Sequence, residues 1–296
     1  MVKQCKTKKK FDWKGYLFVW SILLMPVILF IYSNGILNVE VVRLAFQNAK
    51  GEWTLGNFAW AIRDMTEEGS VMMESLKNTM LFFVNSIIVI NFFNLLLSYF
   101  LFKRVLGYKI FRIVLYLPSI IGSVAFSLVF KAIIGAGGPV YEIMEKMFGV
   151  APEIFADSRY AMKGILFYVS WTGLGGLFYQ GAMARIPTDV FEAAILDGIT
   201  PWKEFTKIII PMIWPTITTL LILSFTGIFS ASGPILLFTK GEYGTFTISY
   251  WLWDQVYTWN AVHSAAVVGL IYTLIATPIV FIFRKVALKV QESVQY

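Results

Sequence analysis

Few side chains in this sequence can do covalent chemistry. It holds one histidine, His263, and one cysteine, Cys5. A Cys/His metal cluster is thereby excluded, an internal disulfide cannot form, and a Ser-His-Asp triad would have to be built on His263. No G-x-x-x-x-G-K-[ST] run is present, so the chain has no P-loop for a nucleotide. The densest polar constellation is Phe191–Gly198, FEAAILDG. It combines two carboxylates, a pair of alanines and a glycine between two hydrophobic stretches. Glu192 and Asp197 stand at i and i+5, so they do not share a helix face and make no acid–base pair. The chemistry open to this segment is recognition. Ala193 and Ala194 keep one face thin, so another backbone can approach closely, and Phe191, Ile195 and Phe205 offer apolar knobs.

The flanking residues shape it. Pro187-Thr188-Asp189 reads as a helix start, with Asp189 able to cap and Glu192 three residues on, a capping-box-like pair. Gly198 supplies the left-handed residue that ends this helix. Thr200 reads as a second cap and Pro201 as a favourable first helical residue. A second helix then runs to Ile210, where Pro211 stops it or kinks it into the next apolar stretch.

Those stretches define the molecule. Of 296 residues, 57% are hydrophobic and 15% charged, whereas soluble domains carry about a quarter charged residues. Lipid is the solvent that accepts such a surface. Six spans are expected at Tyr16–Ile36, Thr79–Phe102, Phe111–Ile134, Met162–Met183, Met212–Phe238 and Ser264–Phe283, an all-α polytopic membrane protein. Sixteen Lys and Arg residues fall on the side of the N-terminus, the loops 103–112 and 185–207 and the C-terminus, against nine opposite. Positive residues stay cytoplasmic, which places both termini and FEAAILDG inside. The basic start KQCKTKKK precedes a run of span length with no clear cleavage site, so it reads as an uncleaved first span. Outside, the apolar stripe of Val140, Ile143, Met144, Met147 and Phe148 predicts a short helix over Pro139–Val150 lying at the surface. The segment from Lys240 to His263 is rich in aromatics. It suits an interfacial belt or a surface for an outside partner or sugar rings. His263 and Asp254 read as residues of that outer segment.

The spacing Glu192-Ala193-Ala194, Gly198, Ile208 and Ile210-Pro211 resembles the EAA loop of binding-protein-dependent ABC importer permeases. Ile210-Pro211 stands where that family has Leu-Pro. Asp197-Gly198 resembles the Asp-Gly of its sugar permeases, with Ile199 in place of the usual Ala. Weaker similarities run from about Leu55 to Phe283, through LGNFAWAI, LKNTMLFF, YLPSIIGSVAFSLVF and NAVHSAAVVGLI, and point to the maltose-type carbohydrate permeases. In the last, His263 occupies a commonly aromatic position.

The resemblance implies a type I importer fold. Residues 1–73 would form the basic N-terminus, first span and external segment. Residues 74–284 would form the transmembrane domain, with the EAA coupling loop at 184–212, and 285–296 a cytoplasmic tail. It implies a bacterial plasma-membrane protein forming half of an alternating-access pathway for a sugar or oligosaccharide. Its partners would be a second, usually different, permease subunit, an ABC ATPase dimer that binds the ATP, and an extracytoplasmic solute-binding protein. This chain would be no enzyme, holding no cofactor or metal and engaging no nucleic acid. Glu192, Ala193, Ala194, Asp197 and Gly198 would contact the ATPase. Polar residues inside spans tend to face a cavity or other helices. Ser119, Ser123 and Ser127 form one such stripe, which also suits helix packing. Asn94, Ser123, Tyr168, Trp171, Gln180 and Ser230 are the candidates for the substrate path. Gly173, Gly175 and Gly176 suit close packing or a helix break. A secondary transporter or channel would need a buried carboxylate or cation site, and a membrane enzyme a clustered catalytic set. Neither is apparent.

Overall fold

The computed structural model describes residues 13–149, 151–227 and 233–294. The basic start, Cys5 and Ser230 lie outside them. Among the described residues the chain is helical, and its one β pairing is an isolated bridge between Gln47 and Trp53.

α1 (Trp13–Ala45) is one apolar helix of 33 residues, longer than the expected first span. No residue of its Trp13–Ile31 portion is buried. A short amphipathic α2 (Gly56–Thr66) follows. Asn57 ties it back by donating to the carbonyls of Ala45 and Gln47. α3 (Val71–Phe102) has 32 residues, about 48 Å at 1.5 Å per residue, so its two ends meet different ends of the molecule. Ser70 caps it, accepting from the amide of Met73.

The third expected span does not run through. α4 (Tyr108–Ile120) contains Pro118 and stops before Ile121-Gly122, and α5 (Ser123–Ile134) starts afresh. Proline removes a backbone donor and glycine gives no side chain to hold a turn, so the break falls there. α6 (Pro139–Phe148) forms as the stripe predicts, with Pro139 in its first turn and Gly149 at φ +71 ending it. None of its residues is buried, and with α5, across the break at 135–138, it makes one apolar run of span length, Ser123–Phe148. The fourth expected span divides into α7 (Ala161–Gly173) and α8 (Leu177–Met183). The fifth begins as α11 (Trp214–Gly227), after the loop helices α9 (Thr188–Leu196) and α10 (Pro201–Met212). A single turn, α12 (Ile235–Phe238), and a further helix, α13 (Ile248–Tyr257), lead to α14 (Val262–Val294).

Among the described residues, four helices are long and apolar enough to cross a membrane, and the bent pair α10–α11 makes a fifth. The stretch expected as the fourth span falls short because of its break. The multi-pass, all-helical architecture stands; the spans are more interrupted than hydropathy alone suggests.

At one end of α3, Asn78 donates to the carbonyls of Gly244 and Phe246, and the Ile248 amide donates to Thr79. These bonds fix a turn in which Lys240, Gly241, Tyr243 and Gly244 all have positive φ. Lys131 Nζ sits 2.8 Å from the carbonyls of both Leu237 and Phe238, neutralising the last turn of α12. His263 does not pair with Asp254. Its Nδ1 lies 3.1 Å from the Leu44 carbonyl and ties α14 to α1, while Asp254 accepts from Trp259 Nε1 at 3.0 Å. The outer aromatics divide between core and surface. Trp251 is buried against Ala45, Met72 and Val267, whereas Trp253 and Tyr257 stack outward from Tyr250.

The α7–α8 break gives a direct test. Gly176 has φ +57, and a Cβ there would overlap Ser98 Oγ and stand 2.8 Å from the Asn94 carbonyl. Gly176→Ala is expected to destabilise the protein by about 3 kcal/mol through backbone strain and overpacking, read as a lower thermal midpoint in detergent. Gly181→Ala, where nothing lies within 4 Å, should not lower it.

Candidate functional site

The loop that carries FEAAILDG is a helix–glycine–helix unit. α9 ends in a Schellman arrangement. The Gly198 amide donates to Ile195 and the Ile199 amide to Ala194, at 3.0 and 3.1 Å, with Gly198 at φ +68. α10 begins with Pro201, as its residue types predict. The expected caps are placed differently in detail. Pro187 is the N-cap of α9 and accepts no side-chain bond, so Asp189 and Glu192 form no capping box. Thr200 holds the N-cap position of α10 without a side-chain bond. Within α10, residues Phe205–Ile209 widen to a π-type turn, and past Pro211 the chain bends by 74° into α11.

The loop stands on a firm floor. Tyr99, Tyr179, Met183, Phe205, Ile209 and Ile213 form a buried cluster beneath it. Two polar contacts pin it to the last turn of α3. The Tyr99 hydroxyl donates to the Pro201 carbonyl at 3.1 Å. Lys103 Nζ lies 2.9 and 2.7 Å from the two oxygens of Glu204, and also 5.3 Å from the centre of the Phe191 ring. Glu204 is only 5% exposed. Phe102 packs on Phe191 and Tyr99 on Phe205, so one helix end grips both halves of the loop.

The opposite face of the loop is open. Glu192, Ala193, Asp197 and Gly198 are exposed. Ala194 turns inward, and its small side chain helps line a groove of about 480 Å³ with Val190, Asp197, Ile199, Lys203 and Ile208. Of the three expected knobs, Ile195 is exposed, Phe191 half-buried and Phe205 buried. Residue-level reading missed Leu196, 88% exposed, and Trp202. Helix spacing held the signal for Leu196, since Glu192, Ile195 and Leu196 lie at i, i+3 and i+4 on one face. Ile195, Leu196 and Trp202 thus stand as exposed apolar groups beside the charges of Glu192 and Asp197.

Residues 154–291, which include this loop, match the family model described as a binding-protein-dependent transport system inner membrane component. That match covers just under half of the chain. The chain is 26% identical over 288 residues to the lactose transport permease LacF of Rhizobium radiobacter, covering 93% of this chain and 94% of that protein. It is 31% identical over 138 residues to the maltose/maltodextrin permease MalF of Klebsiella aerogenes, covering 46% of this chain and 27% of that longer protein. Its fold matches a chain of a bacterial ABC transporter involved in the import of the acidic polysaccharide alginate. The TM-score is 0.82 at 20% identity, over 94% of this chain and 97% of that one. The same transporter in complex with its alginate pentasaccharide-bound periplasmic protein matches with TM-score 0.80 at 20% identity, over 95% and 97%.

Within the bundle of this permease-like chain, a cavity of about 430 Å³ lies between α4, α5, α7 and the start of α12. Ser123 and Tyr168 line it, together with Ser127 and Thr172. Ser127 Oγ donates to the Ser123 carbonyl at 2.7 Å, so the Tyr168 hydroxyl, 2.8 Å away, must donate to Ser127. Ser123 keeps its own hydroxyl unpaired among the described residues. The other candidates lie elsewhere. Trp171 packs on Phe126 and Phe130 in the core. Asn94 bridges the α7–α8 break, donating to the Gly173 carbonyl and accepting from the Gly175 amide, and Gln180 donates to the Gly175 carbonyl. Backbone freed inside a membrane has no water to bond, and these amides take its place.

The Lys103–Glu204 pair is the sharpest test of the loop's anchorage. Lys103→Met leaves a buried carboxylate without its counter-ion. The expected loss is roughly 2 kcal/mol, below the value for a fully buried pair because a third of the lysine side chain is exposed. The double variant Lys103→Met with Glu204→Gln removes that orphan charge and should recover most of the lost thermal stability in detergent.

Proposed function

We propose that this chain is the permease subunit of an ATP-driven importer for a sugar or oligosaccharide, forming half of the pathway by alternating access. On this reading the loop 184–212 is cytoplasmic, as are both termini, in line with the bias of basic residues toward that side. A second permease subunit completes the pathway. An ATPase dimer supplies the energy, and an extracytoplasmic binding protein delivers the sugar to the opposite end. The named functions of LacF and MalF, and the alginate transporter of like fold, support a carbohydrate substrate.

The observation that carries the reading is the loop itself: a glycine-hinged pair of helices, open on one face and locked on the other. Glu192, Ala193, Asp197, Gly198, Ile195 and Leu196 would meet the ATPase, with Ala194 keeping the groove beneath them open. ATPase closure then moves two helices at once. The 74° bend passes the motion to α11, and the Tyr99 and Lys103 contacts pass it to α3. A partner shifts the inward–outward equilibrium only through contacts that differ between the two states, so a loop that moves rigidly with two spans is a fitting transmitter. The cavity beside Ser123, Ser127, Tyr168 and Thr172, with hydroxyls set among apolar walls, is the part of this subunit suited to hydroxyl-rich cargo.

Nothing lies within 4 Å of a Cβ built on Gly198. A side chain there meets no atom of this chain; the φ of +68 strains a non-glycine residue, Asp among the least, and the remaining steric effect falls on whatever docks. Gly198→Asp is therefore expected to insert at wild-type levels while sugar uptake falls at least ten-fold and the binding protein no longer stimulates ATP hydrolysis. Replacing the exposed Ala193 by a bulky residue should act alike. Wild-type uptake and stimulation in these variants, measured in proteoliposomes of the assembled transporter, would contradict the proposal, as would uptake by the isolated chain.

A further inference from the structure

A second cavity, of about 260 Å³, opens where α7 enters the membrane. Phe130 and Ile134 of α5, Val140 of α6, Ile154, Phe155 and Phe167 form its walls. A methyl group on Gly164 would stand 2.6 Å from Ile154 Cγ2, so glycine there is what leaves the slot room. Phe167 is 62% exposed and lies one helical turn beyond Lys163. The slot is thus open on the outer face of α7, away from the rest of the chain.

Its mouth is cationic. Lys163 is the one charged side chain that lines it, and it sits in the first turn of α7, at the edge of the span. The ring of Tyr160 carries two cations, with Lys163 Nζ 5.8 Å and the Arg159 guanidinium 5.5 Å from its centre. Their charges are not equally available. Arg159 donates to both oxygens of Asp157, at 2.7 to 3.1 Å, and this bonding holds the Asp157 carboxyl below its ordinary pKa. Lys163 makes no ion pair among the described residues. A lysine stem can lie along apolar surface while its ammonium reaches the headgroup level.

An ammonium over a hydrocarbon-lined slot selects for a molecule with an anionic head and an apolar tail. A sugar finds too few polar partners in the slot, and a free anion leaves its walls bare. We propose that this is a binding site for an anionic phospholipid, with one acyl chain in the slot and the phosphate on Lys163. The complementarity is of charge as well as of polarity, because a single juxtamembrane basic residue favours anionic lipid by about 1 kcal/mol, a ratio of roughly five.

Retention of phosphatidylglycerol and phosphatidylcholine by the full-length chain, released from mixed micelles into a native mass spectrometer, tests this. Wild type is expected to retain phosphatidylglycerol about five-fold over phosphatidylcholine. Lys163→Glu should abolish that preference and Lys163→Arg keep it. Val140→Phe, which fills the slot, should lower retention of both lipids. Lys146→Glu, an exposed lysine of α6 next to Glu142, should change nothing. Equal retention of the two lipids by wild type, or a preference that survives in Lys163→Glu, would overturn the proposal. So would full displacement of phosphatidylglycerol by millimolar inorganic phosphate, because then the anion alone accounts for binding.

Discussion

A carboxylate taken out of water must keep a counter-ion beside it, and Glu204 has one, Lys103. Breaking such a pair leaves an uncompensated charge, which is far more unfavourable than never having had the pair. The helix end that carries Lys103 therefore cannot drift from the loop that carries Glu204. Tyr99 and Phe102 on the same turn, packed on Phe205 and Phe191, make the attachment broad as well as strong. Through it the loop is joined to a helix that runs the length of the molecule. At its far end the same helix anchors the turn around Gly244 through Asn78.

The polar groups inside the bundle answer to the same rule in neutral form. Asn91 donates to Ser224 and accepts from Tyr179, and Asn85 accepts from Ser170. These bonds join α3 to the helices of the fourth and fifth spans. Asn94 and Gln180 satisfy the backbone where α7 gives way to α8. Amides spaced along one helix thus hold the fourth and fifth spans, whose helices are interrupted. In hydrocarbon an interruption persists only where protein supplies the missing partners. The set near Ser123 and Tyr168 instead surrounds open space, which separates residues that face a cavity from residues that stitch helices.

The loop was legible because its signals are local. A glycine after Asp197, a proline after Thr200 and another at 211 each act on their own stretch of backbone, and each takes the place its type dictates. Hydropathy likewise located the apolar stretches. Breaks within them were less visible: Pro118 and Gly122 lie inside an unbroken apolar run, and hydropathy averages over them. The capping box failed because Pro187 already occupies the cap, leaving Asp189 within the first turn. Phe205 looked available but is buried, and Leu196 was overlooked but is bare, because tertiary packing decides which side of a short helix meets the floor. Asn94 and Trp171 show the same limit. Residue type says that an amide needs partners and an indole needs contact area, but whether these come from cargo or from the chain's own backbone depends on contacts far apart in sequence.

The opening helix stands apart from this web. From Trp13 to Ile31 it is apolar on every side, yet none of its side chains is buried against the rest of the polypeptide. Its far end is held, where the Leu44 carbonyl meets His263 and Ala45 is buried, but the Trp13–Ile31 portion keeps its side chains outside the core. Most of what surrounds that portion therefore lies beyond the subunit, in acyl chains or a neighbouring polypeptide. Evolutionary constraint on that helix, wherever it exceeds the bare need for greasiness, is a record of those neighbours.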